Sequence, residues 1–161
     1  YAYGKAVFDT IICKICGRCI GACSFVAISN DQWDAGDLLD KKMAEYAQAV
    51  CQDRPCFHIN MMMDISPNCD CHAENDAAIL PNIGMAASFD PVALDQACVD
   101  LCQKAEPIRN SQLGDHLAQP GWHHHHDHFM DSNPNVHWKE TLEHGEKIGL
   151  GTRDYELVTI K

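Results

Sequence analysis

Four cysteines near the beginning of the chain are spaced as iron ligands. Cys13, Cys16, Cys19 and Cys23 form the pattern C-x2-C-x2-C-x3-C, which is the spacing of bacterial-type ferredoxin ligation. The two-residue gaps let three thiolates surround one [4Fe–4S] cluster within a tight loop, whereas in two-cluster proteins the fourth cysteine binds the neighbouring cluster. We therefore expect these four residues to bind one or two [4Fe–4S] clusters.

Two other interpretations of the same cysteines are a zinc knuckle and a set of buried thiols. Zinc sites favour paired C-x-x-C elements that are separated by a longer span. Because the four cysteines lie in one run of 11 residues, the spacing favours the cluster.

A second group of potential ligands follows an expected strand. The sequence at 69–72 is Cys69, Asp70, Cys71 and His72. The side chains of alternate residues in an extended chain point the same way. Cys69 and Cys71 are therefore candidate ligands of zinc or another transition metal. The alternative is that one cysteine packs in the core while Asp70 stabilises a turn.

A histidine tract lies at 123–128, where an aspartate interrupts a run of histidines. Imidazoles bind zinc or nickel, so His124, His126 and His128 are candidate members of the second metal site. A solvated loop and an engineered insertion are alternatives, and weak adventitious binding is favoured over a dedicated site. By contrast, Cys98 and Cys102 share one face of an expected helix and are predicted to pack in the core.

The composition excludes some partners. The 161-residue chain has 12 Lys and Arg against 23 Asp and Glu, a formal charge of -11, so its field repels nucleic acid. Every hydrophobic run is shorter than the roughly 20 residues of a membrane-spanning helix. Four of the ten cysteines are clustered too tightly for a disulfide framework, which favours a reducing, cytoplasmic and oxygen-poor location.

The pattern of hydrophobic residues predicts an α/β fold with a small ferredoxin-like cluster-binding segment attached to the α/β domain. The segment spans residues 1–30, and the domain spans 31–161 with a polar, His-rich surface loop near 116–137. The predicted elements are strands at 3–9 and 26–28, a helix at 38–50, strands at 57–64 and 83–87, a helix at 91–105 begun by Asp90 and Pro91, an irregular excursion at 107–135, a helix at 138–148 and a strand at 155–160.

Several stretches resemble a known family. The stretch GKAV at 4–7 is similar to the second half of a two-cluster ferredoxin domain. Four further stretches resemble the DUF362 family of ferredoxin-containing proteins: KMAEYA at 42–47, DISPNCDC at 64–71, DPVALDQA at 90–97 and KIGLGTRDYEL at 147–157. The resemblance implies a ferredoxin insert in a larger α/β protein of poorly defined role. It also implies that this chain is a C-terminal portion, with a partner cysteine motif upstream of Tyr1.

The expected function is one-electron transfer through [4Fe–4S] clusters, to a redox partner protein or to an upstream part of the same polypeptide. One alternative is a redox enzyme domain with a second metal site at the Cys69–Cys71 loop, and another is a cluster that only stabilises the fold. The sequence leaves open whether the protein is an enzyme, and also its oligomeric state.

Overall fold

The structure is a computed structural model that describes residues 9, 11–13, 17–24, 27–28, 36–69 and 75–160. The chain divides into two compact units, Tyr1–Asp34 and Ala35–Lys161.

The described part of the first unit contains one short helix, α1 (Arg18–Ala22), which begins after Gly17. Gly17 has a φ of 68°, a left-handed conformation that glycine adopts without steric cost. The strand predicted at 3–9 lies outside the described residues except for Asp9. Of the strand predicted at 26–28, Ala27 and Ile28 are described, and neither is in a strand.

The second unit combines five helices with a two-stranded sheet in its described part. In chain order these elements are α2 (Gly36–Cys51), β1 (His58–Met62), β2 (Gly84–Ser88), α3 (Pro91–Lys104), α4 (Gln112–Ala118), α5 (His128–Ser132) and α6 (Trp138–Lys147). The predicted mixture of helix and sheet is confirmed, and the two described strands pair antiparallel, with His58 opposite Ser88 and Met62 opposite Gly84.

The core lies between the sheet and α3. Leu80 and Leu113 are fully buried, and Cys98 and Cys102 are buried beside them, as their helical spacing predicted. Helix α3 begins where the sequence indicates. The Asp90 carboxylate accepts hydrogen bonds from the backbone N–H groups of Val92 and Ala93, at 2.9 and 3.0 Å, and Pro91 occupies the first turn.

Strand β1 turns its polar face toward the protein. His58 and Asn60 are half-buried and Met62 is buried, whereas Ile59 and Met61 on the other face are about 60% exposed. Helix α2 also exposes its larger hydrophobic side chains, whereas the small residue Ala44 is buried. The exposed side chains are Leu38, Leu39, Met43, Tyr46 and Val50.

The prediction of an irregular surface excursion at 107–135 is wrong. This segment contains α4 and α5 and contributes buried residues. Ser111 begins α4 by accepting a hydrogen bond from the N–H of Gly114. Leu113 is fully buried, and Asp127, Asp131 and Ser132 are at least 96% buried. Polar residues here serve as helix caps and interior hydrogen-bond partners, so their number does not indicate exposure.

The strand predicted at 155–160 is also absent from the structure. These residues form neither helix nor strand, and Val158 and Ile160 are 73% and 92% exposed. The Tyr155 hydroxyl donates a hydrogen bond of 2.7 Å to the Asp100 carboxylate on α3. Hydrophobic alternation therefore does not produce a strand here, since no neighbouring strand pairs with this segment in the described part of the chain.

Within the described residues, none of the helices has the length and hydrophobicity needed to span a membrane.

Candidate functional site

The ferredoxin-type motif surrounds helix α1. Cys13 precedes the helix, Cys19 lies in its first turn and Cys23 follows its last residue. All three side chains are half-buried. Cys16 lies outside the described residues, so the structure places three of the four predicted ligands.

Cys23 has a backbone donor at its sulfur. The N–H of Ala27 donates to the Cys23 Sγ at 3.3 Å. Hydrogen bonds of this kind stabilise negative charge on ligating thiolates and adjust the potential of an iron–sulfur centre. Together with the sulfur chemistry of the motif, this contact fits an iron–sulfur cluster.

The second predicted site is only partly placed. Cys69 is exposed, whereas Asp70, Cys71 and His72 lie outside the described residues. Cys69 and the tract histidines His124, His126 and His128 include no three side chains that meet within 4.8 Å. These four described side chains therefore supply no three-ligand group.

The histidine tract is fixed by backbone and side-chain hydrogen bonds. The backbone N–H of His125 donates to the Asp131 carboxylate at 2.6 Å, and that of His128 donates to the Gln103 side chain at 2.8 Å. The His128 ring nitrogen Nε2 lies 3.0 Å from the carbonyl oxygen of Ala105. His128 thus contacts the end of α3, while His124 and His126 are exposed.

Asp127, which interrupts the tract, is buried and multiply hydrogen-bonded. Its Oδ1 accepts from the side chain of Gln103 and caps α5 by accepting from the N–H groups of Phe129 and Met130. Burial opposes ionisation of this carboxyl, but hydrogen bonds from Met130, Gln103 and Trp138 and the charge of Lys139 outweigh it and lower the pKa of Asp127. Its role is structural.

A third group of ligands was not predicted as a site. Cys51, Cys56 and His58 offer ligand atoms that all lie within 4.8 Å of one another, and each residue is half-buried. The two cysteines lie apart from the ferredoxin-type motif in the sequence, and His58 is one of the alternating residues of the strand predicted at 57–64. The spacing C-x4-C-x-H is the signal that connects them.

The turn between α2 and β1 brings these three residues together. Cys51 ends α2 and His58 begins β1, and between them Asp53 adopts a positive φ of 58°. The Cys56 thiol lies 3.9 Å from the carbonyl oxygen of Cys51. Burial, followed by the hydrogen bond with Cys56, raises the pKa of the Cys51 thiol.

Comparison with known protein families gives a match. A family model described as "Domain of unknown function (DUF362)" matches residues 14–100, more than half of the chain. The matched span contains three of the stretches that resemble this family, at 42–47, 64–71 and 90–97, and it ends before the histidine tract. No curated protein and no solved structure matches the chain.

Proposed function

The chain belongs to the DUF362 family, which is a domain of unknown function, and from the chain's own residues we propose that it is an iron–sulfur protein that transfers single electrons. Cys13, Cys16, Cys19 and Cys23 are the proposed ligands. The observation on which the proposal depends is their C-x2-C-x2-C-x3-C spacing.

Local geometry around the motif supports cluster binding. The left-handed Gly17 allows the chain to turn directly into α1, and α1 separates Cys19 from Cys23 by one helical turn. The Ala27 N–H directed at the Cys23 sulfur supplies a donor of the kind that ligating thiolates accept.

A bound [4Fe–4S] cluster would supply a centre that accepts and releases one electron. The protein's residues would bind it, donate hydrogen bonds to its sulfurs and limit the access of water, all of which affect its potential. The formal charge of -11 favours a redox partner, or another part of the same polypeptide, with a basic contact surface. We place this activity in the reducing cytoplasm, where clustered thiols persist.

Iron and sulfide analysis after anaerobic purification tests cluster binding. We expect about four irons and four sulfides for each cluster, and about eight of each in a native polypeptide with a second upstream motif. Cys19→Ser should lose the iron and sulfide of its cluster. Cys69→Ser, at an exposed cysteine outside the motif, is the control and should retain them. Iron that persists unchanged in Cys19→Ser would contradict the ligand assignment.

A redox titration followed by electron paramagnetic resonance tests electron transfer. A reversible one-electron signal at physiological potentials is the expected result. A cluster that decomposes on reduction would instead identify a structural centre, as in other small domains that depend on metal for folding.

A further inference from the structure

We propose that Cys51, Cys56 and His58 form a binding site for a single thiophilic divalent cation, with zinc as the preferred ion, separate from the ferredoxin-type motif. All three side chains belong to the second unit of the chain, Ala35–Lys161. Iron–sulfur binding at the motif is therefore not a requirement of this site.

The ligand types select the metal. Two thiolates and one imidazole form a set that zinc binds in tetrahedral geometry, and carboxylates, which magnesium and calcium prefer, are absent from the group. Within the described residues the group has three members. The fourth tetrahedral position is thus available to water.

The distances are close to those of a bound ion. Zinc–sulfur bonds of about 2.3 Å and zinc–nitrogen bonds of about 2.0 Å place tetrahedral ligand atoms roughly 3.5–3.8 Å apart. The ligand atoms of Cys51, Cys56 and His58 are all within 4.8 Å of one another. This upper limit of 4.8 Å is consistent with the separations expected for ligands of one zinc ion.

The backbone arrangement explains this convergence. The turn at 52–55 reverses the chain after α2, and the N–H of Arg54 donates to the carbonyl oxygen of Cys51 at 3.2 Å. Cys56 and His58 are two residues apart on an extended segment, so they share a face. The residue between them, Phe57, is 58% exposed on the opposite face.

His58 provides an independent observation. Its Nε2 is buried and has no hydrogen-bond partner among the described residues. Polar atoms that are removed from water are normally paired, and a metal ion is one partner that an imidazole nitrogen accepts. A cation bound by the two thiols and by Nε2 would give this nitrogen a partner.

Zinc counting in matched variants tests the proposal. The full chain, purified anaerobically, is dialysed against a chelator, resupplied with Zn2+ and analysed for zinc, iron and sulfide. We expect Cys51→Ser, Cys56→Ser and His58→Asn each to lose one zinc per chain without loss of iron. His58→Cys supplies a third thiolate and should retain the zinc. Cys69→Ser should also retain it, whereas loss in this variant alone would assign the zinc to the 69–72 loop and overturn the proposal.

Protection from alkylation tests the site without any substitution, in case a variant fails to fold. One equivalent of Zn2+ should protect Cys51 and Cys56 of the unmodified chain from iodoacetamide, as measured by peptide mass mapping. Co2+ should give sulfur-to-metal charge-transfer absorption that Cys51→Ser weakens. Unprotected cysteines, or a Cys51–Cys56 disulfide in place of bound metal, would overturn the proposal. Because these readouts follow zinc and not iron, their failure is distinguishable from failure of the proposed electron transfer.

Discussion

The indole N–H of Trp138, at the start of α6, donates a hydrogen bond of 3.0 Å to the buried Oδ2 of Asp127. The Lys139 ammonium lies 3.6 Å from the same oxygen. Since the other carboxylate oxygen, Oδ1, caps α5, this one side chain connects two helices that are separated in sequence. It also explains why a polar tract is an ordered part of the second unit.

Replacing Asp127 should destabilise the protein strongly. In Asp127→Asn the amide oxygen can still cap α5. The amide NH2 group replaces Oδ2, however, and it cannot accept the hydrogen bond of Trp138 or pair with the charge of Lys139. We expect a loss of about 2–4 kcal/mol, the range for an unsatisfied buried partner of a charged group. The free energy of unfolding in urea measures it. The exposed control Asp115→Asn should change stability by less than about 0.5 kcal/mol.

The same carboxyl makes stability depend on pH. The pKa of Asp127 is lower in the folded protein than its ordinary value, so ionisation stabilises the fold above the unfolded pKa of about 3.9. That stabilisation is lost as the pH falls from there through the folded pKa. The stability difference between the unmodified protein and Asp127→Asn should therefore narrow below about pH 4, as measured by urea denaturation at successive pH values. A difference that stays constant down to pH 2 would show that ionisation of Asp127 does not stabilise the fold.

Asp90 should contribute to stability through two separate contacts. Its Oδ1 caps α3 and its Oδ2 accepts from the N–H of Thr152 at 2.9 Å. Asp90→Ala should cost about 1–2 kcal/mol, the usual value of an N-cap. Asp90→Ser keeps a capping oxygen and should recover most of that loss, while the shorter side chain leaves Thr152 without its partner. Thermal unfolding of the two variants separates the contribution of the α3 cap from that of the Thr152 hydrogen bond. An equal loss of stability in Asp90→Ala and Asp90→Ser would show that the cap is not the larger contribution.

Two buried thiols should resist alkylation in the folded protein. Burial, followed by the charge of Cys98, raises the pKa of Cys102 to about 11, and burial also raises the pKa of Cys98. At pH 8 only about one in a thousand Cys102 side chains is then a thiolate, the reactive form. Iodoacetamide should modify the exposed Cys69 in the native protein and reach Cys98 and Cys102 only after unfolding. Rapid native labelling at Cys102 would contradict the burial of α3 against the sheet.

Gly114 and Gly145 should differ in their tolerance of alanine. A Cβ at Gly114 would lie 2.4 Å from the backbone oxygens of Ile108 and Arg109, whereas at Gly145 the nearest atom is a Val92 side-chain methyl at 3.2 Å. Backbone cannot rotate away as a methyl group can, so Gly114→Ala should cost about 1–3 kcal/mol. Gly145→Ala should cost less, because alanine has the higher helix propensity, by up to about 1 kcal/mol. This gain offsets the crowding against Val92. Unfolding of the two variants in urea compares them directly.

Much of the second unit could be predicted from local chemistry. Asp90 and Pro91 define the start of α3, and the hydrophobic spacing of Cys98 and Cys102 locates their shared buried face. Gly149, with a φ of 79°, follows Ile148, the last residue of the helix predicted at 138–148. These features depend on interactions within a few residues, for which sequence patterns are informative.

Features that depend on tertiary contacts could not be predicted in this way. The buried Asp127 is hydrogen-bonded by Gln103 and Trp138, which lie 24 and 11 residues away in the chain, so a polar composition alone indicated a surface loop. The Cys51–His58 group likewise depends on a turn that joins the end of a helix to a strand. The motif at Cys13–Cys23 was recognisable because all of its proposed ligands lie within one short segment.

The two faces of β1 have a consequence for how the strand pairs during folding. A register shift of one residue would exchange its faces, burying Ile59 and Met61 and exposing His58. Hydrophobicity alone favours that misaligned pairing, so polar anchors must oppose it. Asn60 is one such anchor, since its amide donates to Asp95 at 2.5 Å. The Asp64 N–H donates to Asn82 at 2.9 Å and is another. A cation bound at Cys51, Cys56 and His58 would act as a third anchor and would lower the population of misregistered chains.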